Sequence, residues 1–131
     1  MGTNYYAVTD PCPHCGWTEE PVHLGKSSAG WCFSLRVYPE HGVHELTDLL
    51  AFIGKKRIED EYGQIISREI FNEIVTERSW FETEDLYRTQ AFLRQNHAVP
   101  GPKNLLRSKI DGQHCIGHGD GTYDLIVGEF C

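Results

Sequence analysis

Two cysteines with two residues between them are the first candidates for chemistry. Cys12-Pro13-His14-Cys15-Gly16 offers two thiols from one tight turn, and Cys115-Ile116-Gly117-His118-Gly119 repeats the spacing with a thiol and an imidazole. Three thiolates and one imidazole form a tetrahedral set for a structural zinc ion, with Zn–S about 2.3 Å and Zn–N about 2.0–2.1 Å. The glycine after each second ligand has a physical reason. Turn N–H groups point at the sulfur, and the chain leaves through a conformation glycine reaches at little cost. The expected ligands are therefore Cys12, Cys15, Cys115 and His118, holding a structural Zn2+ that clamps the two ends of the chain. His14, His23 or His114 are alternatives to the second pair, as are His41 and His44, which also have two residues between them. Metal binding of this kind is worth on the order of 10–16 kcal/mol in small zinc domains.

Four protein ligands make a closed, structural site. A site lacking His118 keeps a position for water, beside which Glu19, Glu20 or Asp120 would stand as a base. Pro11-Cys12-Pro13-His14-Cys15 matches half of a zinc-deaminase pattern, but no His-x-Glu precedes it. A second stretch, His23-Leu24-Gly25-Lys26-Ser27-Ser28-Ala29-Gly30-Trp31, resembles the end of a phosphate-binding loop. The full pattern needs a glycine five residues before Gly25, where Glu20 stands, so a nucleoside triphosphatase is rejected. What remains is a small polar loop for an anion or a partner, weighed against a plain glycine-bounded hairpin turn. His23, Lys26, Ser27, Ser28 and Trp31, with His114, are the candidate contact residues. His114, His118, Asp120 and Asp124 could be grouped as a catalytic cluster, yet histidine is often only a ligand or a satisfied polar residue. Cys32 lacks an orienting third group for nucleophilic work and reads as a packed small side chain.

Composition limits the classes. The chain has 131 residues, the size of one domain covering 1–131, with 40% hydrophobic and 24% charged residues. Its net charge is -7. Non-specific nucleic-acid binding needs clustered Lys and Arg and is disfavoured. Such acidity suits solubility, or docking on a basic protein surface. No apolar run has the length of a membrane span, and no basic region followed by an apolar stretch marks a signal peptide. Five cysteines, an odd number, argue against a disulfide framework and for a reducing cytoplasm.

The elements that must position these residues are short. Aromatic and β-branched content predicts a strand over 4–9. A hairpin is expected from 21–24 and 30–38, joined by the loop Gly25–Gly30. In its second arm Trp31, Phe33, Leu35 and Val37 alternate with Cys32, Ser34, Arg36 and Tyr38. Thr47 is expected to cap a helix carrying Leu46, Leu49, Leu50 and Ile53 on one side. Glu61-Tyr62-Gly63-Gln64 predicts a small hairpin within 57–66, and Glu59-Asp60-Glu61 reads as a solvated acidic turn. Ser67 should cap a helix over 68–78 with Ile70, Phe71, Ile74 and Val75 inward. A third helix is expected over 84–95, with Leu86, Phe92 and Leu93 inward. An irregular connector follows at 96–104, then strand character at Leu105-Leu106 and Tyr123–Val127, with the second ligand turn between them. The fold class is α+β: a small, mainly antiparallel sheet with zinc-ribbon-like knuckles and two or three packed helices.

Asn4-Tyr5-Tyr6, the Cys12–Gly16 turn, the His23–Trp31 stretch and the run from Cys115 to Leu125 together resemble a family of small uncharacterised bacteriophage proteins. The likeness covers most of the chain and brings no activity with it. It implies a phage-encoded protein in the cytoplasm of an infected bacterium, and gives the Gly25–Gly30 loop weight as a contact surface. The functional expectation is a zinc-stabilised binding protein acting on a host or phage protein. The alternative is a small zinc- or histidine-dependent hydrolase of a nucleotide or nucleic acid.

Overall fold

Tyr5 and Ala7 alternate with Asn4, Tyr6 and Val8 along the first strand, and this alternation divides the molecule into two faces. In the computed structural model, which describes residues 2–80, 89–111 and 114–128, that strand is β1 (Gly2–Val8). It lies inside a sheet with β2 (Val22–Ser28), β3 (Phe33–Arg36), β4 (Arg57–Asp60), β5 (Ile65–Ile66), β8 (Cys115–His118) and β9 (Tyr123–Ile126). The order is β5-β4-β1-β2-β3-β9-β8. The β3–β9 pair is parallel and the other pairs are antiparallel. A separate two-stranded sheet joins β6 (Ala98–Pro100) to β7 (Leu106–Ser108). Among the described residues the fold is therefore α+β, with a mainly antiparallel seven-stranded sheet and three helices: α1 (Leu46–Ile53), α2 (Arg68–Thr76) and α3 (Gln90–Gln95).

The inner face carries the core. Tyr5, Ala7, Leu24, Phe33, Leu35 and Leu125 pack with Leu46, Leu49 and Ile53 of α1 and with Phe71 and Val75 of α2. Tyr5, Phe33 and Phe71 form a triangle with every centroid pair 5.8 Å apart, in tilted and edge-on geometries that aromatic quadrupoles favour. Thr122 pins the start of β9 to the end of α2. Its hydroxyl donates to the Val75 carbonyl at 3.0 Å and accepts from the Arg78 N–H at 2.8 Å.

Several expectations change in the structure. The polar stretch expected as a loop over 25–30 is strand through Ser28, and only Ala29-Gly30 turns, closed by Trp31 N–H to Ser28 O at 3.1 Å. The reason lies at Gly25, where φ is +152° and an added Cβ would lie 2.3 Å from Ser34 O and 2.5 Å from Phe33. That glycine allows close strand packing beside the bulge where Tyr5 pairs with Gly25 and Tyr6 with His23. Trp31 stands before β3 and bridges to Leu106. Glu45, not Thr47, caps α1, accepting from the Leu46 N–H. Ser67 caps α2 as expected, though the helix ends at Thr76 and Ile70 is exposed. Asp60 is no solvated turn residue. One of its oxygens takes the N–H groups of Tyr62 and Gln64, both at 2.9 Å, and closes the β4–β5 hairpin. The third helix is capped by Thr89 and spans Gln90–Gln95; positions 84–88 of its expected range, including Leu86, lie outside the described residues. The connector expected over 96–104 contains β6, which ends on Pro100, where a missing N–H costs the ladder little. Cys115 to His118 is not a turn but the edge strand β8, with a register shift between Cys115 and Gly117.

Candidate metal turn and contact face

Beyond β1 the chain makes a tight protruding turn. Cys12 N–H donates to Trp17 O at 2.7 Å, Gly16 N–H donates to Cys12 O at 2.8 Å, and Gly16 takes φ +75°, a left-handed value suited to glycine. The Cys12 sulfur receives the backbone N–H groups of His14 and Cys15 and the Cys15 thiol, which together hold its pKa below the ordinary thiol value. The turn is tied down on both flanks. Asp10 pairs with Arg57, Glu19 pairs with Lys56 at 2.8 Å, and Thr18 Oγ1 donates to Thr9 O at 2.8 Å. The residues from Pro13 to Trp17 are exposed, Trp17 to 63%. Two sulfurs side by side, with N–H groups aimed at one of them, match the donor chemistry of half a tetrahedral zinc site.

Cys115 and His118 sit on β8 at one edge of the sheet, while the Cys12–Cys15 turn follows β1. Three strands, β2, β3 and β9, lie between β1 and β8, a lateral separation of roughly 19 Å at the usual strand spacing. The structure therefore brings together Cys12 with Cys15, and Cys115 with His118, but not the two pairs. The second pair is engaged where it stands. Cys115 is 2% exposed, its thiol is 3.4 Å from Gly117 O and 3.7 Å from Ser108 O, and burial pushes its pKa up. His118 Nε2 lies 2.9 Å from Ser108 O and 3.6 Å from Asp124 Oδ1. Because a carbonyl only accepts, Nε2 carries the proton. Among the alternatives, His41 stacks on Phe52 with centroids 5.4 Å apart, and His44 is exposed. Among the described residues no group of three or more His, Cys, Asp or Glu side chains is disposed to hold one metal ion.

The outer face of the sheet is a second candidate. Tyr6 and His23 share it with rings 5.3 Å apart, and His23 Nε2 lies 2.9 Å from Asn4 Oδ1. Lys26 pairs with Ser34 in register, which puts both on this face. Arg36 follows Ser34 by two residues and stacks over the Tyr38 ring at 4.9 Å, and the Tyr38 hydroxyl donates to His23 O at 2.7 Å. Burial, with Arg36 and Lys26 nearby, drives the His23 pKa down to about 4, so its imidazole is neutral at pH 7. Neither Lys26 nor Arg36 has a carboxylate partner among the described residues, and Arg36 Nε is buried without a hydrogen bond there.

Of the expected contact residues, the structure gathers His23 and Lys26 here. Ser28 alternates onto the same face and Ser27 onto the other. The carbonyls of Ser28 and Trp31 are taken by Arg78, through Nη2 at 2.8 Å and Nε at 3.0 Å. His114 is exposed beside β8, its N–H on Asp111 Oδ1 at 2.9 Å, away from β2. Asn4, Tyr6, Ser34 and Arg36 were not among the expected contact residues. For Ser34 and Arg36 the alternation within 31–38 already marked a shared face. For Asn4 and Tyr6 only the strand pairing supplies the link.

Comparison of the chain with protein-family models, with curated proteins and with solved structures finds no match.

Proposed function

We propose that this chain is a zinc-stabilised binding protein, encoded by a bacteriophage and acting in the cytoplasm of the infected cell on a host or phage protein. The observation that carries the reading is the outer face of β1–β3. There Lys26 and Arg36, cationic and without carboxylate partners among the described residues, stand beside Tyr6, His23 and Tyr38 in a chain of net charge -7. Aromatic and arginine side chains on a rigid sheet are favoured anchors for protein recognition. The expectation of a basic partner came from net charge alone. Lys26 and Arg36 give β2 and β3 the opposite local sign, while Glu59 and Glu61 stand beside β1, so the docking segment we propose carries carboxylates that meet β2 and β3. Zinc belongs to the Cys12–Gly16 turn, read as a zinc-ribbon-like knuckle in which Cys12 and Cys15 are ligands.

The hydrolase reading is less well supported. His118 donates its Nε2–H to a backbone carbonyl, and the Cys115 thiol beside it is buried. No helix among the described residues is long and apolar enough to cross a membrane, which is compatible with the cytoplasmic reading.

Cross-linking and capture from infected cells test the proposal. A protein held by the native chain and lost on Lys26→Glu/Arg36→Glu, in a variant that still melts cooperatively well above the capture temperature, is the expected result. Capture that is indifferent to both charge reversals would remove the face from consideration. Capture of nucleic acid alone would remove the protein-partner reading.

A further inference from the structure

The Cys12–Cys15 turn supplies two thiols, and a tetrahedral zinc ion takes four ligands. Cys115 and His118 are on the far edge strand, bonded within the fold. Among the described residues no third His, Cys, Asp or Glu joins the two thiols. We propose that the turn is a half-site, completed by the same turn of a second copy, so that one Zn2+ is held by Cys12 and Cys15 of each chain. The inference rests on the zinc reading above and adds where the missing ligands come from.

Four features fit a shared ion. First, the turn projects: Pro13 to Trp17 are exposed, so a second turn can approach both sulfurs. Second, it is held in shape by the Cys12–Trp17 and Cys12–Gly16 backbone bonds and anchored to the fold through Arg57 and Lys56. Part of the ordering cost of association is thereby met within the chain. Third, the nearest acids are already paired: Asp10 with Arg57 and Glu19 with Lys56. Two chains of net charge -7 therefore meet at a patch where Lys56 and Arg57 offset part of the flanking negative charge, Arg57 being shared between Asp10 and Glu59. Fourth, Trp17 is 63% exposed next to the ligands, and a two-fold axis through the ion brings its symmetry mate to the same place. An isologous contact of this kind uses one patch twice, and the indole pair would shield the thiolates from water.

In the assembly step four S–H bonds are exchanged for four Zn–S bonds. The protons leave to solvent, no oxidant is needed, and affinity therefore rises with pH. The N–H groups of His14 and Cys15 stabilise the resulting thiolate charge on Cys12.

The test is titration of the reduced, metal-free full chain with Zn2+, followed by sedimentation and metal content. The expected result is a species of twice the 15.0 kDa chain mass that saturates at one zinc per two chains. A chelator should return it to monomer, and Cys12→Ser/Cys15→Ser should remain monomeric with zinc present. Co2+ should give intense tetrahedral d–d bands and thiolate charge-transfer absorption at the same stoichiometry, a readout that needs no variant. One zinc per monomeric chain would overturn the shared site and leave the zinc reading standing. A reduced chain that takes up no zinc, or one isolated with a Cys12–Cys15 disulfide that rejects the metal after reduction, would overturn both.

Discussion

Asp124 on β9 and Arg107 on β7 belong to different sheets and meet in the interior, with Arg107 Nε 2.9 Å from Asp124 Oδ1. Arg107 Nη2 continues to Tyr123 O at 3.0 Å, and Asp124 Oδ2 takes the Ser108 N–H at 2.9 Å. The side chains are 2% and 13% exposed for Asp124 and Arg107, so this pair fastens the small sheet onto the large one out of water. Burial raises the Asp124 pKa, against the pull of the Ser108 N–H and Arg107.

A buried charge left without its partner is costly. Arg107→Met should therefore destabilise by about 3–5 kcal/mol in urea denaturation. Arg107→Met/Asp124→Leu should recover most of that loss, because no isolated charge remains. Equal destabilisation by the single and double variants would mean that the packing of these side chains, and not their charge, holds the two sheets together.

His23 gives the fold a specific acid sensitivity. Its folded pKa is about 4, against about 6.5 for an unperturbed histidine. Between those values the unfolded chain takes a proton that the folded one refuses, so stability falls as pH falls from about 6.5 to about 4 and is fully present above that window. A shift of this size has an upper limit of about 3 kcal/mol, and partial exposure of the ring reduces it to roughly 1–2 kcal/mol. Melts of the native chain and His23→Gln at pH 7.5, 5.5 and 4.5 measure the difference. The variant should lose less stability than the native chain on acidification; parallel curves would contradict the low pKa.

Much of the fold was legible because periodicity reports which face a residue occupies. Phe33, Leu35 and Val37 alternate inward as their spacing required, and Ser67 caps α2 through the Ile70 N–H at 3.1 Å. What the chain did not disclose is strand order. Cys115-Ile116-Gly117-His118 has the spacing of a ligand turn, yet it is one arm of an antiparallel hairpin with β9, and that hairpin's place in the sheet follows from the parallel β3–β9 pairing, which no local pattern encodes. The same limit hid the Arg107–Asp124 pair, whose members belong to strands of separate sheets. The Gly-Lys-Ser-Ser stretch misled for another reason. Its glycine serves contact with Phe33, a packing demand that looks in sequence like a loop signal.

Gly25 is therefore a sharp test of that packing. Alanine there must accept φ +152° and a Cβ inside contact distance of both the Ser34 carbonyl and the Phe33 ring. Overpacking and backbone strain together should cost about 2–4 kcal/mol. Chemical denaturation of Gly25→Ala measures it, with Gly63→Ala as a control at a positive-φ turn where nothing lies within 4 Å. The control should lose less. Equal losses would place the whole effect in backbone conformation and none in the contact with Phe33.

The four cysteines among the described residues divide by environment, and reaction rates should show it. Cys12 has a lowered pKa and Cys15 is exposed, whereas Cys32 is 2% exposed with its pKa pushed up to about 11 by burial and by Asp124. Cys115 is equally buried and shifted in the same direction. Only the thiolate reacts, so at pH 8 the higher pKa alone slows Cys32 by a factor of about 10²–10³ relative to an ordinary thiol, and burial slows it further. Iodoacetamide on the reduced, metal-free chain, read by peptide mapping, should label Cys12 and Cys15 first and reach Cys32 and Cys115 only as the fold opens. Zn2+ added beforehand should protect Cys12 and Cys15 and leave the buried pair's slow rate unchanged. Rapid native labelling of Cys115 would contradict its burial in β8 and would return it to consideration as a ligand.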